Sequence, residues 1–520
     1  MSGAPAVAAD ALGWLRHAAP SVFADRRDLR LDSRRVKRGD VFIALPGHAV
    51  DGRAYLSAAA AAGAVAALVD ADGWSERSSH PPHTLPVLAV KDLRGVIGPL
   101  AADFYRHPSE HLLSIGVTGT NGKTSSTQWI AQLLTHAGRR CAVIGTIGIG
   151  FVDAPLTETS LTTPDPVSLQ REVRWLLDAG AQALAMEVSS IGLAQGRLNG
   201  MKFDVALFTN LTRDHLDHHG TMQQYEAAKA LLFDWPTLSH AVINLDDAAG
   251  RRLLPRLAER GVDVIGYSAN DATDIANEPR IAHLVTARAI RATAHGLAFE
   301  AALDGQVIGI EVPLVGQFNV ENLLGVLGVM HACGIEFARA AAALSQLDPP
   351  PGRMQQVAMS NAPLAVIDYA HTPDALEQAL AALRPLADAR GGKAGGGKLW
   401  VVFGAGGDRD AGKRALMGAV AAQGADVVVV TSDNPRTESP EAIVSQVAAG
   451  AERAHELITI VDRRQAIFHA IARAAPADVV LIAGKGHESY QIVGADKLPF
   501  SDVSHARAAL AERTATSSLT

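Results

Sequence analysis

Little in this sequence would staple, spread or anchor it. Of its 520 residues only two are cysteine, Cys141 and Cys333, which excludes a disulfide framework and suits a reducing cytosol. Positive charge is not in excess: 47 Lys and Arg against 54 Asp and Glu leave a net charge of −7, which argues against a general nucleic-acid binder. Asp10, Arg16 and Asp25 interrupt the alanine-rich N-terminus, so neither a secretory leader nor a membrane-inserted segment is expected. Internal repeats and coiled-coil heptads are missing too. With 48% apolar and 19% charged residues the chain is globular rather than disordered. Its length exceeds what one core supports, and about three domains are expected.

The most informative stretch also lacks something. Gly116-Val117-Thr118-Gly119-Thr120-Asn121-Gly122-Lys123-Thr124 is followed by Ser125 and sits between an apolar run, Leu112–Ile115, and a helix-period segment with Trp129, Ile130, Leu133 and Leu134. Strand, glycine turn and helix are the setting of a phosphate-binding loop. Val117 stands where the strict G-x-x-x-x-G-K-[ST] pattern has its first glycine, so the match is to a variant loop. Backbone N–H groups and the positive helix end would meet phosphate. Lys123 would reach the terminal phosphates of ATP and Thr124 would hold Mg²⁺.

The expected fold class is α/β with three domains: residues 1–110, 111–346 and 347–520. In the first, Gly39–Leu45 reads as a turn and strand, followed by an alanine-rich helix and a strand over Ala64–Val69. In the second, runs at Cys141–Ile144, Ala183–Met186, Val205–Phe208, Ala241–Asn244 and Val262–Ile265 alternate with helices. That pattern predicts a largely parallel, P-loop-type ATPase sheet, with residues 282–315 as an antiparallel side sheet. In the third, runs at Leu364–Ile367, Leu399–Phe403, Val427–Val430, Leu457–Val461 and Val479–Ile482 predict a Rossmann-like, doubly wound sheet. Polar loops at Asp368–Pro373, Gly404–Arg409, Ser432–Arg436 and Gly484–Glu488 are expected on one edge of that sheet. Residues 71–86 and 391–397 read as surface loops.

Glu187 and His215 fall at strand ends beside Thr124, where a hard cation on ATP finds oxygen ligands and tolerates an imidazole. Taken singly, such a glutamate can equally be ion-paired and such a histidine merely hydrogen-bonded. The run Arg213–His219 is too crowded for tetrahedral zinc and has no cysteine near it. Lys229, on an amphipathic helix, reads from pattern alone as a solvated lysine.

Five motifs then occur in order: Thr118–Thr124, Glu187–Ser190, Asn210–Asp217, Gly316–Asn322 and Asp368–Pro373. Together they closely resemble the Mur ligases, ATP-dependent amino-acid-adding enzymes of peptidoglycan synthesis, from Leu31-Asp32-Ser33 to Gly484–Glu488. The resemblance implies a cytoplasmic, monomeric enzyme acting on small molecules, with ATP and Mg²⁺. The substrate it implies is UDP-N-acetylmuramoyl-L-alanyl-D-glutamate, and Asp433-Asn434-Pro435-Arg436 points to meso-2,6-diaminopimelate as the amino acid. It implies that Leu31, Ser33, His48, Ala49 and Val50 hold the uridine end. Thr162, Thr163, Ser189, Gln195 and Arg197 would hold the muramoyl peptide, and Asn319, Arg353 and Asp368 the nucleotide. Arg409, Asp433, Asn434, Pro435, Arg436, Gly484 and Glu488 would bind diaminopimelate. Lys229 matches a lysine that the family carbamylates, so the implied metal set is Thr124, Glu187, His215 and carbamylated Lys229. The other readings are a lysine-adding or folylpolyglutamate-type ligase, and a nucleotide-binding regulatory ATPase.

Overall fold

The computed structural model describes residues 4–24, 27–47, 50–74, 85–159, 161–270, 278–293, 296–390 and 396–517. The chain divides into two compact units, one made of Met1–Tyr267, Thr273–Leu284 and Gly325–Glu336, the other of Ser268–Ala272, Val285–Leu324 and Phe337–Thr520. Most of the loops expected at 71–86 and 391–397, and His48 and Ala49 of the uridine set, lie outside the described residues.

The first unit begins with a small parallel sheet of β1 (Leu29–Arg30), β2 (Val41–Ala44), β3 (Ala66–Asp70) and β4 (Val87–Val90), in that order. Its larger sheet contains β5 (Leu113–Thr118), β6 (Cys141–Ile144), β7 (Ile149–Phe151), β8 (Ala183–Glu187), β9 (Val205–Phe208), β10 (His240–Asn244) and β11 (Asp263–Ser268). The order is β11-β10-β9-β5-β8-β6-β7, all parallel except β7. The apolar runs are buried on both faces, as parallel strands between helices must be. This topology places β9, β5 and β8 side by side, so their carboxyl ends bring the Asn210 segment, the glycine loop and Glu187 to one edge.

The second unit contains the antiparallel set β12 (His283–Thr293), β13 (Gly296–Leu303) and β14 (Gln306–Val312), with a register shift between Arg288 and Arg291. It also holds a sheet of β15 (Gln355–Val357), β16 (Leu364–Asp368), β17 (Leu399–Phe403), β18 (Val427–Val430), β19 (Leu457–Thr459) and β20 (Val479–Ala483). The order is β15-β16-β20-β17-β18-β19, parallel except for β15. Alternate residues face opposite cores. Val366, Val401, Val428 and Leu481 pack under the helices Pro373–Arg390, Gly412–Gly424 and Pro440–Gly450. Ile367, Val402, Val429 and Ile482 pack under Arg463–Arg473 and Asp502–Ser517. The sheet is thus doubly wound, and β16, β20, β17 and β18 are neighbours, so the four polar loops share one edge.

β7, β15, the hairpin of β21 (Tyr490–Val493) and β22 (Asp496–Pro499), and the helix Asp502–Ser517 answer to no sequence expectation. Cys141 and Cys333 are free and buried. Among the described residues no helix is long and apolar enough to cross a membrane.

Candidate active site

The glycine loop turns sharply from β5 into the helix Lys123–His136. Gly119 (φ +152°) and Gly122 (φ +83°) occupy backbone conformations that disfavour any side chain. Gly122 caps the helix without a side-chain hydrogen bond, whereas Asp165, Asp247 and Asp462 cap theirs. No capping side chain covers this helix start, so its positive end is presented at the loop, as a phosphate site requires. Asn210 fixes the loop: its carbonyl accepts from Thr120 N (2.8 Å) and its Oδ1 from Asn121 N (2.9 Å). Half-buried Lys123 folds back, its Nζ donating to the Gly119 and Thr120 carbonyls at 2.8 Å each. Ser125 lies buried in the first helical turn.

Thr124 Oγ1 donates to Glu187 Oε2 (3.0 Å), and Thr146 donates to the same carboxylate through its N–H (2.8 Å) and its hydroxyl (3.0 Å). Glu187 is 2% exposed and forms no ion pair among the described residues. From it the network runs outward. Thr146 Oγ1 meets Thr162 Oγ1 (3.0 Å), Thr163 Oγ1 donates to the Glu187 carbonyl (3.0 Å), and Ser189 N donates to Thr163 Oγ1 (3.0 Å). Arg197 donates to the Thr163 carbonyl (2.9 Å) and to Gln195 Oε1 (2.7 and 3.0 Å). Thr162, Thr163, Ser189, Gln195 and Arg197 are thus brought together with Glu187. Burial lowers the Arg197 guanidinium pKa, and only the charge of Asp165 opposes it.

Lys229 is not the solvated lysine its helix pattern suggests. It is 2% exposed, and its Nζ donates to the Gly119 carbonyl (2.7 Å) above the Tyr225 ring. Burial pushes its pKa well down, the charge of Lys123 adds to the shift, and Asp214 opposes it. Tyr225 also meets Thr120 Oγ1 through its hydroxyl (3.1 Å). His215, at φ +53°, lies 3.4 Å from Asp214 and edge-on to Tyr225; among the described residues it makes no hydrogen bond or ion pair with Glu187. In the small sheet, Ser33 opens a helical turn capped by Asp32, Leu31 packs on the core and Val50 is exposed.

In the second unit, Asp368 accepts from Met354 N (2.9 Å) and Ala370 N (2.8 Å). Burial raises its pKa, against the opposing charge of Arg353 and those two N–H groups. Arg353 stacks over Tyr369, and Asn319, buried, donates to the Val315 carbonyl (2.7 Å). Pro435 is buried and Arg436 takes a left-handed φ of +52°; Arg436 N donates to the Ile492 carbonyl (3.1 Å) and Gly494 N donates to the Arg436 carbonyl (2.7 Å). Such strain persists only where surroundings enforce it. Its guanidinium donates to the carbonyls of Gly407 (2.8 Å) and Asn434 (3.4 Å) and pairs with no carboxylate among the described residues. Glu438 pairs instead with buried Arg414 (2.7 and 2.8 Å), which holds its carboxyl down to about 2. Arg409 is exposed one loop away.

Three family patterns cover the chain: "Mur ligase family, catalytic domain" over residues 28–105, "Mur ligase middle domain" over 117–330, and "Mur ligase, glutamate ligase domain" over 352–486. A protein of Ralstonia nicotianae, named UDP-N-acetylmuramoyl-L-alanyl-D-glutamate--2,6-diaminopimelate ligase, is 49% identical over 512 residues, 97% of this chain and 96% of its own. The chain belongs to the Mur ligase family. A Pseudomonas aeruginosa protein of the same name is 47% identical over 93% of this Mur ligase and 95% of its own length. A solved structure of a ligase of that name is 36% identical, covers 94% of this chain and 95% of its own, and has a TM-score of 0.65. A MurF ligase of Thermotoga maritima in complex with ADP shares the fold at 18% identity, 94% and 98% coverage and a TM-score of 0.61.

Sequence reasoning missed the supports of this Mur ligase's candidate residues: Thr146 and Tyr225 in the first unit, and Arg414, Arg463 and Lys485 in the second. None stands in a phosphate-loop or metal-ligand pattern, and only Lys485 adjoins a motif glycine. One further support can be tested directly. A methyl group added at Gly145 would overlap Glu187 Oε1 and come within 2.8 Å of its Cδ. Gly145→Ala should therefore displace the carboxylate that orients Thr124. A loss of at least ~10-fold in ligase turnover is expected with the fold retained. Kinetics and thermal unfolding check it; turnover within ~2-fold of the parent would disprove this role for Gly145.

Proposed function

We propose that this chain is an ATP-dependent ligase that adds meso-2,6-diaminopimelate to the D-glutamate γ-carboxyl of UDP-N-acetylmuramoyl-L-alanyl-D-glutamate, supplying a peptidoglycan precursor. The observation that carries this reading is the shared edge of β9, β5 and β8. There an uncapped phosphate loop, a buried carboxylate and a buried lysine lie beside a connected polar network.

A carboxylate does not accept an amine directly, because oxide is not a leaving group. In the proposed reaction the γ-carboxylate oxygen attacks the γ-phosphorus of ATP, the bond to ADP breaks, and an acyl phosphate forms. The diaminopimelate amine attacks the acyl carbon, loses a proton, and phosphate leaves from the tetrahedral intermediate. Lys123 exchanges its two loop carbonyls for phosphate oxygens and offsets the repulsion between carboxylate and triphosphate. Thr162, Thr163, Ser189, Gln195 and Arg197 hold the muramoyl peptide. Leu31, Ser33 and Val50 serve its uridine end, and Asn319, Arg353 and Asp368 serve the nucleotide. The oxygens of Thr124 and Glu187 suit a hard divalent cation, and His215 and carbamylated Lys229 complete the proposed set; Mg²⁺, when bound, would neutralise phosphate charge. Two buried, free cysteines fit a cytoplasmic enzyme, and we assign it as a monomer. ADP release that requires both the UDP-muramoyl dipeptide and diaminopimelate, with a tripeptide product by mass, tests the function. ADP release without either substrate would favour a regulatory ATPase.

Lys229 is proposed to carry a carbamate, because carbamylation needs the neutral amine that burial favours. Lowering the pH protonates the amine and removes the modification. Protein equilibrated with ¹³C-bicarbonate should show a carbamate carbon signal that fades on acidification and is absent in Lys229→Met. No signal in active wild-type enzyme would overturn the assignment.

Diaminopimelate differs from lysine by a second carboxylate on the distal carbon. Arg436, free of Glu438, is proposed to meet it with a planar fork. With lysine that contact is lost and the guanidinium is left unpaired, a difference of roughly 10²–10⁴-fold in kcat/KM. Arg436→Ala should collapse that preference. An unchanged preference, or a wild type that uses lysine equally, would remove Arg436 as selector.

A further inference from the structure

Lys485 is completely buried, yet its ammonium has no part in the reaction derived above. It follows Gly484 at the carboxyl end of β20. Its Nζ donates to Glu488 Oε2 (2.8 Å) and to Asn434 Oδ1 (3.1 Å). Asn434 Oδ1 also accepts from Ile492 N (2.9 Å) on β21, and Asn434 Nδ2 donates to Glu488 Oε2 (3.0 Å). Two donors on one oxygen fix the Asn434 amide, because a flip would set its NH₂ against an ammonium and an N–H. Asn434 therefore does not offer its oxygen to a ligand; it orients Glu488.

These bonds fill one oxygen of Glu488 and leave Oε1 with no hydrogen bond among the described residues. Asp433 is similar: Oδ1 accepts from Asn434 N (2.6 Å), and Oδ2 lies over Gly484, within 2.7 Å of where a Cβ would stand. Gly484 takes φ +115°, which suits glycine. Arg463 lies nearby but is neutralised by Asp502 in a buried pair. Asp433, Glu488 and Lys485 thus sum to one negative charge, matched by a single ammonium. Without Lys485 the half-buried Glu488 carboxylate would lose its one ion-pair partner among the described residues.

We propose that Lys485 is the positioning residue of the amino-acid site: it holds Glu488 and Asn434 so that Glu488 Oε1 receives the ammonium of the incoming zwitterion. This rests on the reading of the chain as a diaminopimelate ligase. It makes the amino-acid site two-sided, with Arg436 meeting a carboxylate and selecting, and the Lys485-held carboxylate meeting an ammonium and binding.

The test is steady-state kinetics with ATP, the UDP-muramoyl dipeptide and diaminopimelate, each varied in turn. Lys485→Met should raise the KM for diaminopimelate at least ~10-fold, leave the other two KM values within ~3-fold, and retain most of kcat at saturation. Lys485→Arg should recover part of the lost affinity. In a Glu488→Gln background the same substitution should add little, since the two act through one contact. If Lys485→Met does not fold, Lys485→Gln, which keeps a hydrogen bond but no charge, is expected to show the same split. An unchanged diaminopimelate KM, a proportional rise in all three KM values, or full additivity with Glu488→Gln would overturn the proposal. A wild type that does not consume diaminopimelate would overturn the functional reading instead.

Discussion

The first unit depends on a charge placed where charge is least welcome. Glu187 ends β8 at 2% exposure with no cation paired to it among the described residues. A bare carboxylate there would be strongly destabilising. It is tolerated because Thr124 and Thr146 give it charge-assisted hydrogen bonds, roughly twice as strong as neutral ones. Each donor belongs to a different segment: Thr124 to the phosphate helix and Thr146 to the turn after β6. Thr163, on the segment before the helix Pro166–Asp178, binds the Glu187 carbonyl. One residue at the end of β8 therefore ties together the phosphate helix, the turn after β6 and the Thr163 segment.

The second unit solves a related problem with cations. Arg463 and Asp502 are both fully buried, paired at 2.7 and 2.8 Å, and Arg463 also donates to the carbonyls of Ser432 (3.4 Å) and Ala483 (2.9 Å). Those residues immediately precede Asp433 and Gly484, so one guanidinium sets the starts of two site loops. Arg414 does the same for the Gly406 loop through the Gly406 carbonyl (3.3 Å) while holding Glu438. Arg436, strained at φ +52°, is left to carbonyl partners among the described residues. Breaking a buried pair costs about 3–5 kcal/mol, although such pairs are not net stabilisers against apolar substitutes. Here they serve the placement of loops.

How much of this was legible follows from the range of the forces involved. Strands such as Val427–Val430 and Leu399–Phe403 stood out because parallel strands covered on both faces need continuous apolar runs. The glycine loop was readable because its chemistry is local. The β21–β22 hairpin was not: Asp496 and Lys497 give it no apolar face, and its role is to press Ile492 onto Asn434 and Arg436. Nor could the sequence decide whether Glu438 pairs with Arg436 or Arg414, since Arg414 lies 24 residues away on another helix. The same holds for Lys485, whose motif neighbours were recognised while its own burial was not.

Lys229 shows the limit most clearly, because helical spacing pointed to solvent and the fold turned it inward. Its one hydrogen-bond partner among the described residues, the Gly119 carbonyl, is 110 residues away and also accepts from Lys123. Two amines within reach of one oxygen stand a few ångström apart, and two unit charges ~4 Å apart at an effective dielectric of about 20 repel by about 4 kcal/mol. One of them must give up its proton readily. Burial decides which: Lys229 is sealed behind Tyr225, whereas Lys123 is half-exposed at the loop mouth. The charge is therefore favoured where phosphate arrives, on Lys123, over the buried Lys229. A phosphate loop with one lysine would supply the charge alone; the second, buried lysine sets beside it an amine whose pKa burial holds well below the usual lysine range.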